Sequence, residues 1–592
     1  MIPGTNQAAR PSRLPPGQAG RETFLQKWFI PLLMTAVVIN AGGLIIPILE
    51  PDGSLYATIS KTIAHTGDFI NLRVEGTDWL DKPHFPFWMA AISMRIFGAT
   101  GFAYKFPALL FWAAGAWYTW KFAFSLYGKT VAQLSVLIYV SAAHLVISNN
   151  DVRAEPYLTG LIIGSVYHYY KASRNRPGWH LVIGSLLAGC ACMTKGPFVL
   201  ITIGAGFILD WILQKEWKQF VSIRWYIAIV LTALFTLPEL YCLYEQFDLH
   251  PEKLVFGRTN VSGIRFFFWD SQFGRFFNTG PIKGSGDPFF YFHTLLWAFL
   301  PWSLLLYAAM IQKCRHVTTA GLRNIPGNWI CLGGALASFI VFSLSRFQLP
   351  HYLNILFPFF AILTADYVLG IRSPRSQKII RVVQDSINVL LPVLLLLLCW
   401  FFHFDDWLLL MFLFIALAIL AFVLFRGPIL PKPLARSFWM AMLVFAFVNF
   451  IVYPTILRYQ AGTQAGEYVE NLEAARALAD PPIAPRFDST AFLLHEAPVD
   501  YSFEFDCPLP VERLRMDSLA SGLKHTGKPA LGFAPSSFSD SLLRNGVSVS
   551  RLHEFPNFHI SQLTGQFVNY RTRSSAVKPW SLFMVTRDLA VP

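Results

Sequence analysis

Glu50-Pro51-Asp52-Gly53 opens, and Asp78-Trp79-Leu80-Asp81-Lys82-Pro83-His84 closes, a polar stretch that runs into the aromatics Phe85, Phe87 and Trp88. It follows directly on a long apolar run, so carboxylates and a lysine stand where a membrane protein can least accommodate idle charge. Between the two ends Leu55, Ile59, Ile63 and Ala64 keep helical spacing, while Ser60, Lys61 and His65 fall elsewhere. That pattern predicts an amphipathic helix lying in the membrane interface rather than crossing it. Carboxylates at both ends, an adjacent lysine and an aromatic floor suit a site for a phosphate and a hydroxyl. A solvated connecting loop suits the same spacing, and the rest of the chain has to decide between the two.

Of the 592 residues, 54% are hydrophobic and 14% charged, with a mean hydropathy of +0.44. Soluble chains carry about 25% charged residues. Apolar runs of about 18–22 residues, enough to cross a bilayer as helices, recur through the first three quarters. The composition is that of a polytopic membrane protein. The net charge of +13 is spread over short loops, which marks topology rather than a nucleic-acid patch. The seven cysteines are scattered, and Cys190 and Cys192 lack the spacing of a zinc or redox pair.

Thirteen spans are expected near 28–48, 107–126, 131–148, 157–171, 179–194, 197–213, 224–241, 289–312, 328–345, 351–370, 387–402, 406–425 and 437–455. The segment from Pro86 to Phe97 is too short to cross and reads as a second interfacial helix. Residues 1–27, rich in Pro, Gly and Arg, read as a disordered amino terminus. One set of span ends collects the cations: Arg10, Arg13, Arg21 and Lys27, then Lys171, Arg174 and Arg176, then Lys215 and Lys218. Arg315, Arg323, Arg372, Arg375, Arg426 and Lys432 continue the same set, and the opposite turns are nearly bare. The positive-inside rule makes the amino terminus cytoplasmic, and an odd number of spans sends the tail to the outer side.

The tail, residues 457–592, changes character. Ala530–Ala534 and Trp580–Val585 read as strands, and Pro510–Gly522 and Ser537–Gly546 as short helices, a small α/β domain.

With that topology the unusual polar residues share the outer side. The first loop supplies Asp52, Asp81, Lys82 and His84; later turns supply Asn149-Asn150-Asp151-Val152-Arg153-Ala154-Glu155-Pro156 and Thr194-Lys195-Gly196-Pro197. Two more read Trp269-Asp270-Ser271-Gln272-Phe273-Gly274-Arg275-Phe276 and Ser345-Arg346-Phe347-Gln348-Leu349-Pro350-His351-Tyr352. Each has a plain structural alternative: Lys195 snorkelling, Glu155 pairing with Arg153, Arg275 anchoring a helix, His84 packing among aromatics. Five turns of the same kind on one face argue instead for an outer cavity with an anion-binding wall and a carboxylate wall. Such a cavity suits transfer from a lipid-phosphate donor, whose tail stays in the bilayer while Lys and Arg hold the phosphate as leaving group. A carboxylate opposite would take the proton of an attacking hydroxyl. The rival class is a flippase or other transporter of the lipid-linked sugar, which calls for charges or broken helices near mid-membrane.

At these residues the chain resembles the bacterial polyprenyl-phosphate-sugar glycosyltransferases of the GT-C superfamily. Within it the chain is most similar to the lipid A aminoarabinose transferase and the protein O-mannosyltransferases. The resemblance rests on Asp52 with Tyr56-Ala57, Asp81-Lys82-Pro83, Glu155-Pro156, Thr194-Lys195-Gly196, Trp269-Asp270 with Arg275-Phe276, and Arg346 with Leu349-Pro350 and Tyr352. The chain departs from it at Gly53, where a second acid is common, and at Leu55, where an Arg is common.

The resemblance implies a GT-C fold and an inner-membrane enzyme of the bacterial envelope. It implies a sugar donor on undecaprenyl or a related polyprenyl phosphate, and a lipid A, glycan or protein acceptor. Asp52 is the implied base and Glu155 a second functional acid; Lys82 and Arg275 are implied phosphate contacts, supported by Lys195 and Arg346. Tyr56, Asp81, His84, Arg153, Gln272 and Tyr352 are expected to line the cavity. Gln272 stands where the aminoarabinose enzyme has a metal-binding His, so the resemblance leaves Asp81 as the remaining candidate ligand for a divalent metal. No other cofactor is implied.

Overall fold

The quoted stretch becomes two helices joined by a small hairpin. Helix α1 (Pro16–Ala41) ends in a 3₁₀ turn, Gly42–Ile45, and the chain then enters α2 (Asp52–Thr66). Asp52 sits in the first turn of α2, where a carboxylate complements the helix dipole, and Gly67 ends the helix in a left-handed conformation at φ +74°. Strands β1 (Arg73–Val74) and β2 (Thr77–Asp78) pair antiparallel before α3 (Phe85–Phe97), which has Pro86 in its first turn. The computed structural model describes residues 16–174, 178–320, 329–427, 430–478, 491–494, 496–515, 529–544 and 547–586.

Six further helices build the bundle around that loop: α4 (Gly101–Tyr127), α5 (Lys129–Ser141), α6 (Ala143–Asn150), α7 (Glu155–Arg174), α8 (Gly178–Lys195) and α9 (Val199–Leu213). Next come α10 (Ile223–Leu243) and an irregular helical segment over 263–277, followed by helices Phe290–Ala298, Ser303–Ala320, Ile330–Leu344, Phe357–Gly370, Pro374–Phe402, Trp407–Leu424 and Pro431–Phe447. Helix α4 meets α7 closely because Gly160 lets the backbones touch; a Cβ there would run into the Phe111 carbonyl. On Trp407–Leu424, by contrast, Leu408, Leu409, Phe412 and Val423 stay exposed, as a lipid-facing helix requires.

Helices overlie all the expected spans. By length and hydropathy alone, six helices among the described residues can cross a membrane, or seven when the bent pair α5 and α6 counts as one. The chain is thus a multi-pass membrane protein. At the amino terminus the structure differs from the expectation. Helix α1 starts at Pro16, so the amino terminus read as disordered is helical from there: Pro suits a first helical position, and the helix runs on through Pro31. Residues 1–15, with Arg10 and Arg13, and likewise Arg176 and Arg323, lie outside the described residues.

The tail carries a five-stranded sheet in the order β4-β3-β5-β7-β6: β3 (Ala491–Leu494), β4 (Val511–Leu514), β5 (Ala530–Pro535), β6 (Ser548–Asn557) and β7 (Lys578–Thr586). β3 runs parallel to β4 and β5, and β7 antiparallel to β5 and β6. The helix expected over Pro510–Gly522 is strand at 511–514, because that segment adds a parallel edge to β3; residues 516–528 lie outside the described residues. A helix does cover Ser536–Arg544, and 545–546 are outside.

The tail is docked on α2. Lys61 donates to the carbonyls of Glu504, Phe505 and Cys507 at 3.2, 2.6 and 3.0 Å, capping the short helix Tyr501–Asp506. Buried Gln460 donates to the Ile48 carbonyl and the Ser502 hydroxyl and accepts from the Glu50 amide. The base of α2, which carries Asp52, is therefore gripped from both sides.

Candidate active site

A cavity of about 200 Å³ lies where the first loop meets the ends of α4, α7 and α8 and the turn before Phe357–Gly370. Asp52, Tyr56, Asp81, Lys82, Arg153, Glu155, Lys195, Arg275 and Tyr352 line it, so nine of the residues singled out from sequence meet in one place.

Three charge clusters make up its walls. Asp52 accepts from Arg153 Nη1 at 2.5 Å, and Arg153 also grips Asp151 through Nε at 3.0 Å and Nη2 at 2.9 Å. Asp52 keeps 39% of its side chain exposed, so one carboxylate face remains open. Asp81 is held by Lys82 on one oxygen and by Arg275 on the other. Burial works to raise the Asp81 carboxyl, but the two cations overcome it and hold it below the usual carboxylate range. Burial draws the Lys82 ammonium down, against the pull of Asp81. Glu155, at the start of α7, pairs with Lys195 at the end of α8, and His351 Nε2 stands 3.7 Å from the same carboxylate.

Local sequence explains these placements. Pro156 at the second position starts α7 beside Glu155. Gly196, at φ +105°, turns the chain out of α8, and a side chain there would collide with the Gln272 amide. Tyr56, Trp79 and Phe87 form an edge-to-face trio with centroids 5.5–5.9 Å apart, the aromatic floor expected.

Counting His351 as uncharged, the lining carries four cations, Lys82, Arg153, Lys195 and Arg275, against three carboxylates: one positive charge in excess. The buried Arg275 Nε has no hydrogen-bond partner among the described residues, while the guanidinium lies 5.3 Å above the Phe347 ring. A buried donor in that state is costly and suits a site whose ligand brings acceptor oxygens. A second, largely apolar cavity of about 470 Å³ opens alongside and shares Lys195, Arg275, Phe347 and Tyr352 with the first.

Four expectations need correction. His84 is fully buried: its amide and Nδ1 engage Glu239 at 2.9 and 3.1 Å, and Nε2 meets the Ile70 carbonyl at 2.9 Å. A carboxylate buried in α10 requires that partner, so His84 does not line the cavity. Arg346 is exposed, and only its backbone takes part here, donating to the Phe276 carbonyl at 3.0 Å. Gln272 lines the apolar cavity instead and donates to Ser271 Oγ. The residues around Asp81 do not suit a divalent metal: both its oxygens already face cations, and no group of three ligands gathers among the described residues.

Tyr104, Tyr157 and His351 also line the cavity and were not assigned from sequence. His351 lies inside one of the quoted turns, so its position could have suggested it. Tyr104 and Tyr157 lie within or beside apolar helical runs and carry no such signal.

Comparison with known proteins agrees with the geometry. The family profile of dolichyl-phosphate-mannose-protein mannosyltransferase matches residues 81–241. An undecaprenyl phosphate-alpha-4-amino-4-deoxy-L-arabinose arabinosyl transferase of Edwardsiella ictaluri is 27% identical over 54% of this chain and 55% of its own length. A protein of that name from an Enterobacter species is 27% identical over 59% and 61%. The chain thus spans little more than half the length of these relatives. The crystal structure of ArnT from Cupriavidus metallidurans bound to undecaprenyl phosphate superimposes with a TM-score of 0.72, at 17% identity, over 96% of this chain and 99% of that one. The chain therefore has the GT-C fold, and in sequence it is similar to the aminoarabinosyl transferases and the protein mannosyltransferases.

Proposed function

We propose that the chain is a glycosyltransferase of the bacterial inner membrane that moves a sugar from a polyprenyl phosphate, of the undecaprenyl type, to a lipid A, glycan or protein acceptor. The observation that carries the reading is the Asp81 carboxylate held between Lys82 and Arg275 at the junction of the charged cavity and the apolar one. The phosphate would displace part of Asp81's hold on those cations, and the lipid tail would follow the apolar cavity towards the bilayer. Residues 28–456 would form the catalytic part, in thirteen spans with a cytoplasmic amino terminus, and 457–592 an outer domain braced against α2.

In the reaction the acceptor oxygen attacks the anomeric carbon while the bond from that carbon to the phosphate oxygen breaks. Lys82 and Arg275 stabilise the charge growing on the leaving phosphate. With a hydroxyl acceptor the proton passes to Asp52, which lines the cavity, stays partly exposed and is oriented by Arg153. Glu155, neutralised by Lys195, is better placed to orient a sugar hydroxyl than to take a proton.

The test is release of undecaprenyl phosphate by purified protein in nanodiscs, supplied with undecaprenyl-phosphate-linked aminoarabinose and lipid A. Release that requires the acceptor supports the transferase. Movement of intact donor across the bilayer, with no undecaprenyl phosphate formed, supports a transporter instead.

A further inference from the structure

Helix α4 brings two consecutive side chains to the two turns that hold the Asp52–Arg153 pair. Lys105 is 1% exposed, and its ammonium donates to the carbonyls of Gly43, Ile46 and Pro47 at 3.1, 2.8 and 3.3 Å. Those carbonyls belong to the turn that leaves α1 and leads into Asp52, where helical partners have run out. Three acceptors match the three protons of an ammonium, so the cap uses the whole donor set. Tyr104, the preceding residue, is 4% exposed; its hydroxyl donates to the Val152 carbonyl at 2.9 Å, one residue before Arg153, and its ring lines the cavity.

The two turns also touch. A Cβ on Gly53 would lie 3.3 Å from Asp151 Oδ1, and Arg153 bridges Asp151 to Asp52. The relative placement of base and arginine therefore depends on the backbones of 43–52 and 151–153, and each backbone is fixed to the same turn of α4. Lysine is an expensive residue to bury in a membrane helix, and a hydrophobic residue would serve packing alone. The three carbonyls it caps offset the cost of burying it.

We infer that Tyr104 and Lys105 are positioning residues: together they set the separation and orientation of Asp52 and Arg153, and so the alignment of the base with the acceptor. The inference rests on Asp52 being the base. It extends that assignment to two residues of α4 that hold the backbones on either side of the pair, Lys105 at 43–47 and Tyr104 at 152.

Tyr104→Phe removes one hydroxyl and nothing else, and Lys105→Met removes the cap at similar length. Turnover of undecaprenyl-phosphate-linked aminoarabinose with lipid A stripped of its phosphates, an acceptor with hydroxyls alone, should fall about 5–10-fold for Tyr104→Phe, with donor KM unchanged, since the phosphate contacts are untouched. The decisive measurement is the double variant: in an Asp52→Asn background Tyr104→Phe should cost nothing further, because there is no base left to misalign. Additive losses would mean a merely structural role and overturn the inference. Amide hydrogen exchange gives a readout independent of turnover. Both variants should raise exchange in peptides spanning 46–53 and 151–155 without changing the tail, and unchanged exchange in both overturns the inference even if Lys105→Met proves too unstable to isolate. If Asp52→Asn alone keeps wild-type turnover, the base assignment has failed, and the exchange data decide the pinning by themselves.

Discussion

Replacing Asp52 by Asn tests the chemistry with little disturbance of the fold. The Asp52 side chain is 39% exposed and its main partner is Arg153 at 2.5 Å, a contact the Asn oxygen can keep. Such a partly solvated ion pair contributes about 0–1 kcal/mol, and Arg153 retains Asp151, so stability should change by less than that. Asn cannot accept a proton near neutral pH, and general-base catalysis contributes about 10²–10⁴-fold. Turnover should therefore fall by about that factor, a barrier increase of about 3–5 kcal/mol, several times any effect on folding. The assay is undecaprenyl phosphate release in nanodiscs with two acceptors, lipid A and lipid A stripped of its phosphates, alongside thermal unfolding and undecaprenyl phosphate binding. Binding should survive, because Lys82 and Arg275, rather than Asp52, are the proposed phosphate contacts. The comparison of acceptors matters because an acceptor phosphate needs no base, so the penalty should be largest with hydroxyls alone. A variant with wild-type rate on the hydroxyl acceptor refutes Asp52 as base, and so does a wild-type protein that uses only the phosphorylated one.

The phosphate wall predicts that Lys82→Ala and Arg275→Ala each weaken undecaprenyl phosphate binding by about 10–150-fold, the equivalent of losing a charge-assisted contact. Lys82→Arg should restore it only partly, because a guanidinium fork does not fill an ammonium's place; native mass spectrometry of titrated nanodiscs would show normal affinity in both alanine variants if the phosphate binds elsewhere. In the tail, burial pushes Glu504 and Asp506 up to about 7, with Glu75 adding to the effect on Glu504. Their protonated forms favour the folded, buried state, so the stability these two groups contribute is complete below their ordinary values of 4.5 and 3.8 and is lost as the pH rises through about 7. Protection factors over 501–507, taken against the base-catalysed intrinsic exchange rates, should be higher at pH 5.5 than at pH 8.5, and Glu504→Gln should reduce that difference; equal protection at both pH values would refute the coupling. For topology, a reporter active only outside the cytoplasm should work when fused after Pro592 and fail after Arg176, and the reverse pattern would invert the proposed orientation.

The helices were legible because apolar length is a local property, and their breaks were not, because their causes are distant. The runs read as continuous over 131–148 and 289–312 are each interrupted, between Ser141 and Ala143 and between Ala298 and Ser303. The two interruptions satisfy each other: the Ala143 amide donates to the Leu300 carbonyl at 3.0 Å, and Trp302 Nε1 to Ser141 Oγ at 3.0 Å. A break in a membrane helix exposes backbone groups that lipid cannot satisfy, so it is tolerated where neighbouring protein supplies the partners, here a second break. Neither segment announces this alone. The strand at 511–514 is similar, since Val511–Leu514 becomes strand through pairing with β3 rather than through its own pattern.

Charged residues in an apolar chain are conspicuous, and for that reason most of the cavity could be collected from sequence. What each charge does depends on how many partners neutralise it, and that is a property of the fold. His84 and Asp81 lie three residues apart, and the sequence reading places both in the cavity lining. In the structure His84 faces a single buried carboxylate, Glu239, 155 residues away, and the two satisfy each other, leaving nothing to bind a ligand. Asp81 faces two cations, one from its neighbour and one 194 residues away, and a single carboxylate cannot saturate an ammonium and a guanidinium together. The surplus shows as the unpartnered Nε of Arg275. A balanced pair holds the fold, whereas an unbalanced one keeps binding capacity for an anion, and the excess positive charge lies at the junction with the apolar cavity, where a lipid phosphate would sit.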